Sequence, residues 1–514
     1  SGGNSWGGGG GSGGLGTNID EALILANLDA AATDFLPWGM KYFMIDDGWE
    51  DNIGDWNTAK QRFPDHDGLE GMAWVAKQIE SKGMIPGIWV APFEVVKTSA
   101  LAKAHPDWWA DVSVFGAAFV PKDVFLPDLS NPEVVDWIAG LFHKLTKEWG
   151  YRWIKMDFSY YALFATNLQD PDVTPSQAYH AALQRIRDVI GPETFFLTIA
   201  ATGLSYDVAD GNRITLDNEP WWGDDKTIFE AGFKPTYATV ARRYYLNHNL
   251  WINHPDLLFW RDKYDLTTAE TRAWTTAVAL TGGIVKLGET YTDLHAHPEW
   301  RAQVEPILPV YPRSGRPLDL FDHEFPEVWD LHAERDGRAW HVLGLFHWGR
   351  NRDIGGSWHD EATRTVTVDL ADLGLDATKR FLAFDAWQRT WTWVDEGKIV
   401  ETLDSHSTRV LIVREEPTAP AIVFTTRHLM GGAVEVHDEA FASDTLKATI
   451  DTVPGRVFTV FAANAGRELL QVDAGSGALA DTGASGQGDG VAWLTFTAKA
   501  AATTVTMAFE PAGG

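Results

Sequence analysis

The sequence predicts an α/β fold, a (β/α)8 TIM barrel followed by one or more antiparallel β-sandwich domains. Up to about residue 310, short apolar segments alternate with longer amphipathic ones, a pattern typical of a parallel sheet with crossover helices. Eight of these apolar segments have strand length, which is the number of strands in a barrel. After residue 312 the pattern changes to short alternating strands separated by turn residues, which is typical of antiparallel β structure.

The elements of the barrel are predicted within residues 1–312, which we expect to be the catalytic domain. The predicted strands are residues 3–6, 42–47, 85–92, 151–158, 195–200, 213–218, 250–258 and 282–289. Apolar residues at helical spacing predict crossover helices at 18–35, 69–82 and 132–150. The interval from Ala200 to Arg213 is too short for a normal crossover helix, so the barrel is expected to depart from the ideal there.

Two all-β segments are predicted beyond the barrel, at residues 313–416 and 417–514. Their clearest strands are residues 340–346, 363–368, 381–384, 409–414, 456–462 and 491–496. The proline-containing stretch 416–420 marks the boundary between the segments, although one larger sandwich would give a similar pattern. Residues 475–490 are rich in Gly, Ser and Asp, which predicts a loop.

The composition excludes several classes of function. A net charge of −29 disfavours binding to nucleic acid or anionic membranes, and no apolar run approaches the length that spans a bilayer. The absence of Cys excludes disulfides, thiolate metal sites and cysteine nucleophiles. The 25 Trp residues are unusually many, and their flat rings suit sugar faces as well as packed cores. We expect a soluble protein, cytoplasmic or secreted, whose oligomeric state stays open.

The first residues suggest a trimmed or processed start. The chain opens with Ser1-Gly2-Gly3, without Met or a signal sequence. Residues 7–14 are almost entirely glycine, which is typical of a flexible linker, either natural or engineered.

Polar and aromatic residues close several predicted barrel strands. They are Asp46, Asp47, Trp89, Lys155, Asp157, Arg213 and Asp217. A single aspartate after a strand is more often a turn residue or a helix cap. Lys155 and Asp157, two residues apart on one strand face, could equally form a structural ion pair. The carboxyl ends of barrel strands meet at one edge, however, and so many charges gathered there predict a polar ligand.

Two carboxylates accompanied by cations and indole rings suit the cleavage of glycosides. One carboxylate attacks the anomeric carbon, while the other protonates the departing oxygen and later activates water. The remaining charged groups bind hydroxyls by charge-assisted hydrogen bonds. The alternative is a divalent-metal site with Asp46, Asp157 and Asp217 as oxygen ligands. That alternative leaves Trp49 and Trp89 without a role.

Seven motifs occur in a fixed order and carry a family resemblance. They are IDDGWEDNIGDW (45–56), GIWVAPF (87–93), HPDWW (105–109), PDLSNPEV (127–134), YRWIKMDF (151–158), NRITLDNEPWW (212–222) and NLWINHPDLL (249–258). Together they resemble glycoside hydrolase family 36, in the clan of α-galactosidases related to melibiase. The resemblance extends over residues 3–290 and implies a retaining double displacement without metal or cofactor.

The resemblance also implies roles for individual residues. Asp157, in a Lys-x-Asp motif, corresponds to the nucleophile, and Asp217, in Arg-Ile-x-x-Asp, corresponds to the general acid/base. Asp46 and Asp47 correspond to the acids that bind the galactose 4- and 6-hydroxyls, so replacing either is expected to reduce activity and leave thermal stability nearly intact. The other implied substrate-binding residues are Trp6, Trp89, Lys155 and Arg213.

Two departures from the family pattern leave the glycone open. The sequence starts directly at the barrel, without the N-terminal β-sandwich of many relatives. The fifth strand ends at residues 198–202 with Thr-Ile-Ala-Ala-Thr, and such small residues leave room near the sugar 2-position. We expect α-galactosides, as oligosaccharides or glycoconjugates, to be the substrates. The alternatives are an α-N-acetylgalactosaminidase, a β-L-arabinopyranosidase, a raffinose-synthase-like α-galactosyltransferase or, more distantly, a non-catalytic carbohydrate-binding protein.

Overall fold

The chain forms two compact units. The computed structural model describes residues 2–4, 15–200, 203–224, 231–260, 266–475 and 485–511. The first unit comprises Ser1–Leu36, Met40–Leu266 and Gly283–His297, and the second comprises Pro37–Gly39, Thr267–Gly282 and Pro298–Gly514. Trp6, the glycine-rich residues 7–14 and the end of the Thr-Ile-Ala-Ala-Thr segment, Ala201 and Thr202, lie outside the described residues.

The first unit contains a parallel sheet. Its strands are β1 (Gly2–Asn4), β2 (Tyr42–Ile45), β3 (Ile85–Val90), β4 (Trp153–Met156), β5 (Phe195–Ile199), β6 (Gly211–Arg213), β7 (Ile252–His254), β8 (Leu257–Leu258) and β9 (Lys286–Leu287). The order across the sheet is β7-β6-β5-β4-β3-β2-β1-β9-β8. Only Pro255 and Asp256 separate β7 from β8. β7 pairs with β6, and β8 pairs with β9. The two strands at the ends of the sheet order therefore belong to one short segment of the chain.

Helices connect most of these strands. The longer ones in the first unit are α1 (Glu21–Asp34), α2 (Gly71–Ser81), α3 (Pro132–His143), α4 (Pro175–Ile190) and α5 (Phe233–Arg242), and the short ones are Ala100–Ala104 and Tyr291–Ala296. Thr174 and Gln177 form a capping box at the start of α4, which fixes where that helix begins. Among the described residues between β5 and β6 there is no helix, as the short interval predicted. Throughout the described chain, each helix is too short or too polar to cross a bilayer.

A small antiparallel sheet is formed by three strands from the connection between β3 and β4 and by one strand after β4. Its strands, in sheet order, are Val95–Val96, Val124–Pro127, Trp109–Val112 and Ala165–Thr166. Leu126 and Tyr161 are among the buried residues that pack it. The 3-10 turn Ser159–Phe164 joins Asp157 to this sheet. The sequence analysis missed it because strands of two to four residues give little periodicity.

The sixth strand differs from its prediction. We expected residues 213–218, whereas β6 ends at Arg213. Arg213 is paired with Ile199 and His254, the last residues of β5 and β7, so no neighbour continues the ladder. Asp217 therefore lies in the segment after the strand, and the prediction that it closes the sixth strand was wrong.

The second unit is rich in antiparallel β structure. One sheet contains, in order, Arg316–Pro317, Val328–Arg335, Arg338–His347, Ser407–Glu415, Phe381–Asp385 and Thr390–Val394. Two further pairs are Thr363–Asp369 with Lys398–Asp404 and Asn351–Arg352 with Trp358–His359. Beyond residue 420 there are two four-stranded sheets, Ala421–Thr425, Val457–Ala463, Val491–Thr497 and Ser485–Gly488, and Val436–Ala442, Thr445–Asp451, Ala502–Phe509 and Leu469–Asp473. In the described residues, no strand pairing crosses the predicted boundary between 416 and 417.

The predicted loop at 475–490 is wrong at its end. Ser485–Gly488 is a strand that pairs with Val491–Thr497. A Cβ atom on Gly486 would lie 2.6 Å from the ring of Trp493, so glycine here permits close packing of a strand on an indole. Gly486 therefore permits a tight contact within a strand, which composition alone does not distinguish from a loop.

The boundary of the first unit also differs from the predicted residue 312. The helix α6 (Thr268–Thr281) and the helical segments Pro298–Val304 and Glu305–Ile307 belong to the second unit. The indole Nε1 of Trp387 donates to Thr276 Oγ1 at 2.9 Å, and His406 Nδ1 lies 2.7 Å from Glu270 Oε1. These contacts join α6 to turns that follow it in the sequence by about a hundred residues or more.

This arrangement predicts that a chain cut at residue 312 will not fold correctly. Most residues of α6 are buried, and the cut removes the strands against which α6 packs. The fragment 1–312 should therefore expose an apolar surface and aggregate. Gel filtration and thermal melting of the fragment and the full chain measure the difference. A monodisperse fragment with a cooperative melt would contradict the assignment of α6 to the second unit.

Candidate active site

Most of the site residues predicted from the sequence meet at the carboxyl ends of the parallel strands. Those that the structure describes are Asp46, Asp47, Trp89, Lys155, Asp157, Arg213 and Asp217, whereas Trp6 lies outside the described residues. Three short contacts connect them in pairs. Lys155 Nζ lies 2.9 Å from Asp46 Oδ2, Trp89 Nε1 lies 3.0 Å from Asp157 Oδ2, and Arg213 Nη1 lies 2.5 Å from Asp217 Oδ1.

Asp46 forms a fully buried ion cluster with two lysines. Its Oδ2 lies 2.9 Å from Lys155 Nζ and 3.7 Å from Lys286 Nζ. Burial acts to raise the pKa of Asp46, but the charges of the two lysines, with hydrogen bonds from Lys155 and the backbone N–H of Asp47, outweigh burial, and the pKa is lowered. Burial, followed by repulsion from Lys155, lowers the pKa of Lys286 to about 7. The sequence analysis missed Lys286, whose only signal was a lysine within an apolar strand.

Asp157 is held by groups from two neighbouring strands. Trp89 donates to Oδ2, the backbone N–H of Phe158 donates to Oδ1 at 2.8 Å, and Lys155 Nζ lies 3.9 Å from Oδ2. Phe158 adopts a left-handed φ of 47°, which is uncommon for a bulky residue and turns the chain sharply after β4. Trp89 is itself fixed, because the buried Trp49 donates its indole N–H to the Trp89 carbonyl at 2.9 Å. The indole N–H groups of Trp49 and Trp89 therefore act as hydrogen-bond donors, and both rings are buried.

Asp217 is paired with the buried Arg213. Burial would lower the pKa of Arg213, but Asp217, Asp256 and Asp157 together raise it. Arg213 is also the main cause of a lowered pKa at Asp217, whose side chain is 75% exposed. Asp256, which follows β7, accepts a 2.7 Å hydrogen bond from the backbone N–H of Asn218. Asp256 thus holds the segment that carries Asp217, although the sequence analysis gave it no role.

Two further acids at the site retain protons to an unusually high pH. Burial and a hydrogen bond with Asp47 raise the pKa of Glu50 to about 8, and the pKa of Asp47 is raised as well, chiefly by burial. A hydrogen bond therefore joins the carboxyl groups of Asp47 and Glu50. Burial and the nearby carboxylates of Asp157 and Asp47 raise the pKa of Glu94 to about 8. Within the described chain, the Glu94 carboxyl has no hydrogen-bond or ion-pair partner.

Tyr160 connects the two aspartates that were predicted to be catalytic. Its side chain is half-buried, and burial together with Asp157 and Asp217 raises the pKa of its hydroxyl. Arg213 likewise interacts with both aspartates. Asp157 and Asp217 therefore lie near the same phenol and the same guanidinium group. Together these side chains offer the hydrogen-bond donors and acceptors that a polyol needs.

The same contacts disfavour the alternative metal site. Each of its three proposed ligands, Asp46, Asp157 and Asp217, lies beside a cationic side chain, Lys155 or Arg213. A positive side chain competes with a metal ion for the carboxylate oxygens. These aspartates therefore do not form a ligand set for a divalent cation.

Comparisons with known proteins identify a family model and several relatives that resemble parts of this chain. A family model described as melibiase matches residues 19–191. An α-galactosidase from Escherichia coli is 31% identical over 149 residues, which cover 28% of this chain. The matched segment spans only 19% of the length of that relative.

Two solved structures resemble the chain over most of its length. A GH27 β-L-arabinopyranosidase from Geobacillus stearothermophilus has a TM-score of 0.58 at 17% identity, over 80% of this chain and 95% of its own. An isomalto-dextranase from Arthrobacter globiformis T6, complexed with panose, has a TM-score of 0.55 at 16% identity, over 99% and 93%. At these identities the likeness concerns the fold alone.

The geometry changes our expectation for Asp46. Asp46→Asn leaves Lys155 and Lys286 buried without this counter-charge, and an unpaired buried charge costs about 3–5 kcal/mol. We therefore expect a marked fall in melting temperature, contrary to the sequence-based expectation of unchanged stability. The matched control is Asp47→Asn, which should reduce activity and leave the melting temperature nearly unchanged. Equal thermal shifts in the two variants would contradict the role assigned to Asp46.

Glu94 should make the stability of the protein depend on pH. Its pKa in the folded chain is raised from 4.5 to about 8, so its stabilising contribution is complete below about pH 4.5 and is lost as the pH rises through 8. The variant Glu94→Gln mimics the protonated form. Its melting temperature should therefore exceed that of the unmodified protein by a margin that grows between pH 5 and pH 8. The exposed Glu193→Gln serves as control, and a margin independent of pH would refute the prediction.

Proposed function

We propose that this protein is a retaining glycoside hydrolase that removes terminal α-galactosyl residues. Asp157 is the nucleophile and Asp217 the general acid/base. The observation that carries the proposal is that Arg213 and Tyr160 each interact electrostatically with both aspartates, so that the two carboxyl groups lie near the same guanidinium group and the same phenol. The proposed scaffold is a closed (β/α)8 barrel, in which the segment containing β7 and β8 completes the ring.

The first step transfers the sugar to the protein. A carboxylate oxygen of Asp157 attacks the anomeric carbon, and the bond from that carbon to the leaving oxygen breaks. The electron pair stays on the leaving oxygen, which takes a proton from Asp217. Trp89 and the N–H of Phe158 orient the Asp157 carboxylate for this attack through their hydrogen bonds.

The second step releases the sugar. Water attacks the anomeric carbon and gives its proton to Asp217, while the bond to Asp157 breaks. The ion pair with Arg213 lowers the pKa of Asp217 and favours the anion that this base role needs. The earlier acid role requires this ion pair to weaken. Sugar hydroxyls that accept hydrogen bonds from Arg213 would weaken its ion pair with Asp217 and thereby raise the pKa of Asp217.

The substrate-binding roles are part of the same proposal. Asp47 and Lys155 bind sugar hydroxyls, and the hydrogen bond between Asp47 and Glu50 holds the Asp47 carboxyl group in place. The motifs support assignment to glycoside hydrolase family 36. The GH27 β-L-arabinopyranosidase has a similar fold at low identity, so the wider clan has the broader support.

A galactosaminide is a second candidate for the glycone. The reason is Glu94, a buried acid beside Asp47 and Asp157 for which the described residues supply no cation. An ammonium group on the sugar would supply a positive charge and would lower the pKa of Glu94 towards its ordinary range. An α-galactoside would meet the same group as a neutral hydrogen-bond donor.

A panel of nitrophenyl glycosides tests these assignments. We expect the highest kcat/KM with the α-galactoside, and lower values with the α-galactosaminide, the α-N-acetylgalactosaminide and the β-L-arabinopyranoside. A higher value with the galactosaminide, lost in Glu94→Gln, would favour the second candidate. No release of nitrophenol from any substrate would refute hydrolase activity.

The two aspartates should differ in their response to azide. Asp157→Ala should lose turnover on every substrate, because no glycosyl-enzyme forms without the nucleophile. Asp217→Ala should still react with a dinitrophenyl galactoside, whose leaving group needs no acid, and should accumulate a hexose on Asp157. Mass spectrometry detects the adduct, and azide should restore turnover with an α-galactosyl azide as product.

Two outcomes would contradict this assignment. Azide rescue of Asp157→Ala, with Asp217→Ala inactive, would show that the roles are reversed. A β-galactosyl azide from Asp217→Ala would show a single inversion and would exclude double displacement.

A further inference from the structure

A second cluster of chemically reactive side chains lies in the C-terminal β region. The strands Val328–Arg335 and Arg338–His347 form an antiparallel hairpin in which His332 is paired directly with His341. Asp330 is two residues before His332 and therefore lies on the same face of its strand. The three side chains meet on one face of the sheet.

The contacts within this cluster are short. Asp330 Oδ1 lies 2.8 Å from His341 Nδ1, Asp330 Oδ2 lies 3.1 Å from His332 Nε2, and the two imidazole rings are 4.3 Å apart. One ligand atom from each residue lies within 4.8 Å of the others. Asp330 and His341 are buried, whereas the His332 side chain is 61% exposed. Two members of the cluster are therefore buried, and the third faces solvent.

Among the described residues, the ion-pair partners of Asp330 are two histidines. Arg316 is its register partner on the neighbouring strand, but in the described part of the chain neither a lysine nor an arginine forms an ion pair with its carboxylate. A buried carboxylate without a compensating cation is unfavourable. A divalent cation between the carboxylate and the imidazoles would provide the missing charge.

We propose that Asp330, His332 and His341 bind a divalent transition-metal ion, for which Zn²⁺ is the best candidate. Two nitrogens and one oxygen form a ligand set that Zn²⁺ prefers, with a water molecule completing the tetrahedron on the exposed side. Ligands about 2.0–2.1 Å from a tetrahedral ion are about 3.3 Å apart. The present separations of 2.8 and 3.1 Å need to grow only slightly, and the exposed His332 is free to move outward.

A neighbouring cluster provides an internal comparison. Asp319, His323 and Glu327 also lie close together. Glu327 Oε1 accepts from Asn351 at 2.9 Å, however, and its Oε2 is paired with Arg364. An arginine on the carboxylate repels a metal ion, so this second cluster should not bind one. The proposed site would tie the two strands of its hairpin together, and it does not depend on the proposed hydrolase activity.

Calorimetric titration of Zn²⁺ into metal-free, tag-free protein tests the proposal. We expect one saturable site per chain and a rise in melting temperature on binding. His332→Ala, at an exposed position where folding is not at risk, should weaken binding at least tenfold and abolish the thermal shift, since it removes a ligand. His323→Ala, in the comparison cluster, should bind as the unmodified protein does.

Two further results would decide the matter. Anomalous scattering from zinc-soaked crystals should give a peak between Asp330, His332 and His341. His332→Asp, which keeps a ligand atom, should recover part of the affinity lost in His332→Ala. Equal zinc affinity in the unmodified protein and His332→Ala, or loss of binding in His323→Ala instead, would overturn the proposal.

Discussion

The buried ion pair between Lys155 and Asp46 is the interaction on which the candidate site depends. It joins β4 to the end of β2, and Lys286 brings β9 to the same carboxylate. Charges in such a place are tolerated only when they neutralise one another. One carboxylate faces two lysines here, and the lowered pKa of Lys286 reduces the resulting excess of positive charge. Lys155 Nζ also lies 3.9 Å from Asp157 Oδ2, so Lys155 links the buried cluster to the proposed nucleophile.

Much of this arrangement followed from the sequence because strand ends are easy to recognise. A strand of a parallel sheet is a short apolar run, and a charged residue that closes such a run lies at the carboxyl edge. The pair formed by Asp46 with Lys155 brings together residues chosen on that basis. Asp217 was chosen as the end of a longer sixth strand, and it is paired with Arg213 although it lies beyond the end of β6. The parallel sheet and the antiparallel C-terminal region were predicted by the same reasoning from periodicity.

Other features depend on partners that are distant in the sequence. Lys286 and Asp256 have no marked local pattern, and their importance comes from their neighbours across the sheet. The raised pKa of Glu94 depends on burial, which a single charged letter in an apolar run does not reveal. The early end of β6 follows from the lengths of its neighbours, and the place of α6 in the second unit follows from contacts with residues far beyond it. Local periodicity carries none of this information.

The break between β7 and β8 has a consequence for how the protein matures. The residues around it pair with β6 and with β9, and Asp256 within it holds the backbone of Asn218 beside the proposed acid/base. A growing chain therefore lacks this support for Asp217 until about residue 258 has been synthesised and docked. Lys286 joins the cluster around Asp46 later still. The site is thus complete only after the last strand of the sheet has been synthesised, so a shorter nascent chain carries its acids without their final partners.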